Sequence, residues 1–355
     1  MPPDNTIKKI VVRSPNWIGD AAMSVPALRE LSRIFPDSEI VLLTAPGIEG
    51  LFENADFVDR TLPFEKKSWK VRQALDHADL LGSEEFDLAI LLTNSFESAL
   101  STKLAKIPRR IGYNKDLRGL LLTDPIAVPE WKDKRHEAYY YLNLIAHLER
   151  RYLKTSTVGQ FPPDASLSIS AEREHEAMQL LQRAGADTSK ILVALGAGST
   201  NSVAKRWGAA DFAGLNDRLR AEFNAEVFLV GAPSEADVAS QVIGLSETKP
   251  INLTGRTSVA EAAAVLSVAD LLVSNDMGLA HVAPAAGTNT VVIFGPTNHE
   301  TTRPFPDNAL VIRNNVECSP CMLRECPIDH RCMTGIKVEH VMSVCRKILF
   351  PERSE

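Results

Sequence analysis

Asp276, Gly278 and His281 crowd into one turn of the stretch LLVSNDMGLAHVAPAAGTNTVVIFGPT, residues 271 to 297. The apolar run Leu271 to Val273 reads as a buried parallel strand that stops at the polar turn Ser274-Asn275-Asp276. A helix of small residues is expected from Gly278 to about Gly287, then a strand from Thr290 to Phe294 that ends in Gly295-Pro296-Thr297. A short turn at the carboxyl end of a strand leaves backbone N–H groups and the positive end of a helix open toward a ligand, and that chemistry suits an anion. A lone Asp before a helix is more often an N-cap. Here Gly278 lets a phosphate come close to the backbone, and His281 follows near the same end.

A second polar loop, GAGSTNSVAKRW at residues 196 to 207, follows a predicted strand at Ile191 to Leu195. Ser199 and Thr200 could donate hydroxyls and Lys205 a compact positive charge to a phosphate, although the Gly-Lys-Ser/Thr order of a Walker loop is missing. Glu235 opens a helix after Gly231 and could accept from ribose hydroxyls, or simply stabilise its own helix end. Near the amino terminus, SPNWIGD joins the first predicted strand to a helix. Gly19 is the only glycine in that turn, so a dinucleotide fingerprint is excluded. Asp20, where the turn enters the helix, is either a cap or a general base.

The segment SNDMGLAHVAPAAG followed by VVIFGPT resembles the lipopolysaccharide heptosyltransferases, nucleotide-sugar enzymes of GT-B architecture. The resemblance extends over most of the chain and is nearest to the heptosyltransferase II type. It implies that Asp276, Gly278 and His281, as a D-x-G-x-x-H pattern, line an ADP-sugar pocket, with Met277 at the variable position. It also implies that Lys205, two residues before Trp207, neutralises the ADP leaving group, and that Thr257 lies near the adenine. Gly19-Asp20 matches the place where the family puts its general base. The activity implied is inverting transfer of heptose from ADP-heptose to the inner core of lipopolysaccharide, on an acceptor of the heptosyl-Kdo-lipid A type. Two rivals stay open: a nucleotide-sugar epimerase of the same outline, and a non-catalytic sugar-binding protein. No cofactor is demanded, because Lys205 and a helix dipole can stabilise the departing diphosphate.

With 355 residues, 45% of them hydrophobic, the chain can bury two ordinary cores. A net charge of -6 argues against a nucleic-acid binder. Against that balance, Lys103 to Arg118 holds Lys103, Lys106, Arg109, Arg110, Lys115 and Arg118 with one acid, Asp116. Such a run is a solvated face or a docking patch for an anionic acceptor. Arg109 and Arg110, with Lys134 and Arg135 further on, are the acceptor-contact candidates. Four cysteines, Cys318, Cys321, Cys326 and Cys332, have the spacing C-x2-C-x4-C-x5-C. Its first half suits a structural zinc and its second half is irregular, so reduced thiols are an equal reading. No secretory signal and no spanning segment is expected, which points to a cytoplasmic protein working at the inner membrane surface where its lipid-linked acceptor lies.

The remaining pattern supplies the frame. Strands are expected at residues 7–12, 38–45, 87–94, 110–113, 191–195, 227–230, 251–253, 271–274 and 290–294. Helices are expected at 21–35, 68–81, 95–107, 130–153, 211–223, 234–245, 258–269 and 278–286, with Pro26 predicting a break or late start in the first. Strand and helix alternation of this kind predicts an α/β fold of doubly wound parallel sheets. The domains are expected at 1–165, binding acceptor, and 166–355, binding nucleotide sugar, as two Rossmann-like domains facing across a cleft. The last helix, about 338–349, is expected to pack back on the first domain.

Overall fold

The computed structural model describes residues 7–64 and 70–351. Residues 68 and 69 of the expected second helix lie outside the described residues. The chain forms two compact units that divide between Ala165 and Ser166.

The first unit holds one parallel sheet of β1 (Lys9–Arg13), β2 (Glu39–Thr44), β3 (Arg60–Pro63), β4 (Leu88–Leu91), β5 (Arg109–Tyr113) and β6 (Asp124–Ile126), in the order β3-β2-β1-β4-β5-β6. Every residue of β4 is buried, as an apolar strand must be when helices cover both sheet faces. The order reverses between β1 and β4, so the turn after β1 lies at the switch point of the sheet. The expected helix 21–35 is two helices, Ile18–Met23 and Val25–Ile34, broken at Ser24. Pro26 occupies the first turn of the second, where its missing N–H costs no helical hydrogen bond.

The second unit repeats the plan with β7 (Leu192–Gly196), β8 (Glu226–Leu229), β9 (Ile251–Asn252), β10 (Leu271–Asn275), β11 (Asn289–Phe294) and β12 (Ala309–Arg313), ordered β12-β11-β10-β7-β8-β9. Here the switch point falls between β10 and β7. Trp207 is fully buried in this unit's core, edge-on to Phe212 at 5.1 Å, and donates its indole N–H to Ile336 O at 2.9 Å.

The expected helix 130–153 starts later, because residues 131–135 form turns before it; it runs as an α-helix over Glu137–Leu148 and ends in one π-helical turn, Glu149–Leu153. The last helix, Val338–Leu349, buries Val341, Met342 and Cys345 in the core of the second unit, against the helix Ala209–Phe223 and β11. Its apolar stripe is therefore used within the second unit.

Candidate active site

The donor candidates of the second unit sit on carboxyl-end loops of adjacent strands. The loop after β7 carries Ser199, Thr200 and Lys205, that after β8 carries Glu235, that after β9 carries Thr257, and that after β10 carries Asp276 to His281. Lys205 Nζ lies 2.7 Å from Asp276 Oδ2, so the pair joins the loops on either side of the β10/β7 switch point. Thr297, after β11, donates its hydroxyl to the same oxygen at 2.7 Å. The Asp276 side chain is 7% exposed and that of Lys205 24%, so the lysine is the more accessible member of the pair.

Asp276 is not the helix cap. The helix Gly278–Ala285 has Met277 as its N-cap residue, without a side-chain cap bond, and Asp276 is spent on Lys205 and Thr297. Gly278 and Met277 are half-buried, and His281 is buried one turn into the helix. The helix begins two residues after Asp276, the partner of the Lys205 ammonium, and its first N–H groups and that ammonium both favour an anion.

Asn275, which the sequence reading passed over, fixes this arrangement. It is fully buried, donates to Ala197 O at 2.8 Å and Gly198 O at 3.2 Å, and accepts from the Trp207 N–H at 2.9 Å. One side chain thus pins both ends of the 197–207 loop to the end of β10. Arg206 adds a bond from Nη2 to Ser199 O at 3.0 Å. Ser199 is buried and Thr200 exposed.

Glu235 is 2% exposed and accepts from Ala232 N at 2.8 Å and from the Thr200 hydroxyl at 3.3 Å. Burial pushes its carboxyl pKa up, against those hydrogen bonds. A Cβ on Gly198 would lie 2.2 Å from Glu235 Cδ, so glycine is required there for the two loops to close. Both sequence readings of Glu235 therefore share a prior role as a staple between the β7 and β8 loops. Thr257 is half-buried just before Ser258, whose hydroxyl caps the helix Val259–Ser267.

In the first unit, Asp20 is the third residue of the helix Ile18–Met23, half-buried, and not its cap; that position is Trp17. Its charge adds to burial in holding the Tyr141 hydroxyl well above its ordinary pKa, which places it near the helix Glu137–Leu148. Arg13 ends β1 and is 2% exposed. It donates to Ser14 O and Asn16 Oδ1, both at 2.7 Å, and its guanidinium lies 4.3 Å from the centre of the Phe64 ring. Burial brings its pKa down to about 10, which keeps it charged at neutral pH, where it stiffens the turn leading to Asp20.

The basic run divides. Register pairs Leu88 with both Ile10 and Arg109, and Leu91 with both Arg13 and Gly112. Arg109 and Arg110 are therefore level with the start of β1, at the amino edge of the sheet, while the Asp20 turn leaves the carboxyl edge. Arg110 also spends its guanidinium on Ile107 O and Leu121 O. The two residues expected to contact the acceptor thus lie at the sheet edge opposite the Asp20 turn. Lys134 and Arg135 follow β6 on the carboxyl side, exposed, with Arg135 stacked 3.7 Å from the Tyr139 ring centre. Arg109→Glu is accordingly expected to leave the acceptor KM within twofold or so of wild type even at low salt, where an exposed contact would show most strongly. Initial rates at two ionic strengths check this.

Cys318 and Cys321 are exposed, Cys326 is intermediate and Cys332 is buried. With His330 they line one cavity of about 70 Å³. Burial first, then the neighbouring thiols of Cys318, Cys321 and Cys326, push the Cys332 pKa up. The donor set suits a soft ion, yet among the described residues no three His, Cys, Asp or Glu side chains converge closely enough to hold a metal.

The sequence profile of glycosyltransferase family 9 (heptosyltransferase) matches residues 74–331, more than half of the chain. A lipooligosaccharide heptosyltransferase 2 of Campylobacter jejuni is 26% identical over 349 residues, covering 97% of this chain and 100% of the relative. The lipopolysaccharide heptosyltransferase 2 of Escherichia coli is 26% identical over 314 residues, covering 86% and 88%. Among solved structures, the ADP-heptose lps heptosyltransferase II of E. coli superposes with a TM-score of 0.83 at 24% identity, covering 98% of this chain and all of that one. Two six-stranded parallel sheets, a carboxyl-edge site at a switch point and a profile that spans both units agree: the chain belongs to glycosyltransferase family 9, the heptosyltransferases.

Proposed function

We propose that this enzyme transfers heptose from ADP-heptose to the inner core of lipopolysaccharide, on an acceptor of the heptosyl-Kdo-lipid A type, with inversion at the anomeric carbon. The observation that carries the reading is the Lys205–Asp276 pair at the β10/β7 switch point, beside the first turn of the helix Gly278–Ala285. A diphosphate there meets the ammonium of a partly exposed lysine already paired with a nearly buried carboxylate. As the glycosidic bond breaks, negative charge grows on the diphosphate, and Lys205 and the helix N–H groups stabilise it more strongly than in the ground state. Ser199 and Thr200 contribute to the phosphate cradle, Glu235 to the ribose and Thr257 to the adenine side. Asp20 removes the proton of the attacking hydroxyl, and Lys134 and Arg135 contact the anionic acceptor.

The reading asks for no metal at the diphosphate, and transfer should persist in a chelator. No helix among the described residues is long and apolar enough to cross a membrane. Action in the cytoplasm at the inner membrane surface follows in this proposal from the lipid-linked acceptor. The test is incubation of the purified protein with ADP-heptose, with and without a Kdo-lipid A acceptor carrying one heptose. Release of ADP with a mass gain of one heptose on the acceptor supports the proposal. Conversion of ADP-heptose without acceptor would indicate an epimerase, and tight binding without ADP release a sugar-binding protein.

A structural zinc on Cys318, Cys321, Cys326 and Cys332 is tested apart from turnover. Elemental analysis decides between zinc and reduced thiols: about one zinc per chain, with chelation lowering Tm by several degrees, roughly as loss of a structural site does, would establish the metal. A zinc-free protein whose Tm ignores chelator has reduced thiols there instead.

A further inference from the structure

The segment 319–330, between the first and last of the four cysteines, is bonded to both loops that flank Asp276. Arg324 O accepts from Ala204 N and from the Ser202 hydroxyl, each at 3.0 Å. The His330 ring approaches Ala204 O with Nε2 at 2.6 Å, and because a carbonyl only accepts, Nε2 carries the proton. The Ala204 residue is thus held on its N–H and on its C=O, and the next residue is Lys205. On the other side, the Ser319 hydroxyl donates to Gly295 O at 2.6 Å and Met322 N to Pro296 O at 2.8 Å, just before Thr297. Lys205 and Thr297 are the two groups on Asp276 Oδ2. Met322 and His330 also have positive φ, 58° and 56°, a conformation that costs a non-glycine residue energy and persists where its surroundings enforce it.

We infer that this segment is a brace for the donor site, and that His330 is a positioning residue that sets Lys205 through the Ala204 carbonyl. The inference rests on the donor-site reading above. It gives the cysteine-rich segment a task in transfer without placing a thiol or a metal in the chemistry. Lys205 stands on a three-residue turn, Val203–Lys205, too short to hold its own geometry. The brace supplies what that turn lacks.

The experiment compares wild type with His330→Leu, which keeps bulk but removes the donor, and His330→Gln, whose amide restores one. Calorimetry with ADP alone reads the donor site, steady-state kinetics read transfer, and hydrogen exchange reads the amides of residues 202–206. His330→Leu is expected to weaken ADP binding and raise the donor KM about three- to tenfold, the range for loss of one neutral hydrogen bond. Exchange at 202–206 should rise, the acceptor KM should not move, and His330→Gln should recover most of the loss. Ser319→Ala, which leaves the strained positions alone, should weaken ADP binding in the same direction if His330→Leu fails to fold. Unchanged ADP affinity in folded His330→Leu, or in Ser319→Ala where that is the folded variant, overturns the brace while leaving the donor site intact. Wild-type protein that binds no ADP overturns the donor site and the brace together.

Discussion

Lys205→Ala is expected to lower kcat/KM by about 10² to 10³, the loss seen when one preorganised group at a developing charge is removed. The effect should fall on kcat as well as on donor KM, because the diphosphate is more negative in the transition state than in the bound sugar nucleotide. The structure adds a second consequence. Lys205 is the cation on Asp276, whose side chain is only 7% exposed. Removing it leaves a nearly buried carboxylate facing an incoming diphosphate, and an unpaired buried charge is costlier than an absent pair. Lys205→Ala with Asp276→Asn should therefore be less damaged than Lys205→Ala alone, although both lack the ammonium. Asp276→Asn alone should lose less, since the amide still accepts from the Thr297 hydroxyl and the ammonium remains. A double-mutant cycle on kcat/KM, with ADP affinity measured alongside, gives the coupling directly. Purely additive losses would mean that Asp276 does not aim Lys205.

What could be read from the sequence was what is local or periodic. The apolar centres of β1, β2, β4, β7, β10 and β11 were legible because parallel strands buried on both faces have little polar alternation to confuse them. The edge strands β3, β6 and β12 were not expected, and two of them are poor local signals: Arg60–Pro63 ends in proline and Asp124–Ile126 has three residues with a proline in the middle. Asp276 shows the limit at the site. Its neighbours suggest a cap, and only the fold brings Lys205 and Thr297, respectively 71 and 21 residues away, onto its carboxylate. Asn275 was invisible for the same reason, since its partners Ala197, Gly198 and Trp207 come from another loop.

The basic run failed in the opposite way. Lys103 to Arg118 is continuous in sequence, but β5 crosses the sheet inside it, so its two ends emerge at opposite edges. A charge cluster counted along a chain is a patch only if no strand intervenes. The cysteine segment carried a spacing signal that spoke of metals, whereas the bonds from 319–330 to Ala204, Gly295 and Pro296 are tertiary and leave no mark on spacing.

Asp20→Asn should leave the protein folded, with ADP affinity near wild type, and lower the rate of transfer by about 10² to 10⁴, the usual contribution of a general base. The fold should survive because the amide keeps the shape of the carboxylate, Trp17 and not Asp20 holds the N-cap position, and the helix is fixed by buried Ala21, Ala22 and Met23. ADP affinity should survive because every donor candidate belongs to the second unit. The loss should therefore appear in kcat with the donor KM little changed, the pattern of a group that acts in the transition state. Arg13 gives a contrast on the same turn. It donates to Ser14 and Asn16 and is buried, so Arg13→Lys should loosen the turn and cost stability as well as rate. Asp20→Asn should cost rate alone. Circular dichroism, thermal unfolding and ADP calorimetry on the two variants separate these outcomes before any kinetics are read. A folded, ADP-binding Asp20→Asn enzyme that turns over within a few-fold of wild type would remove Asp20 as the base and send the search to the other carboxylates on the carboxyl edge of the first sheet.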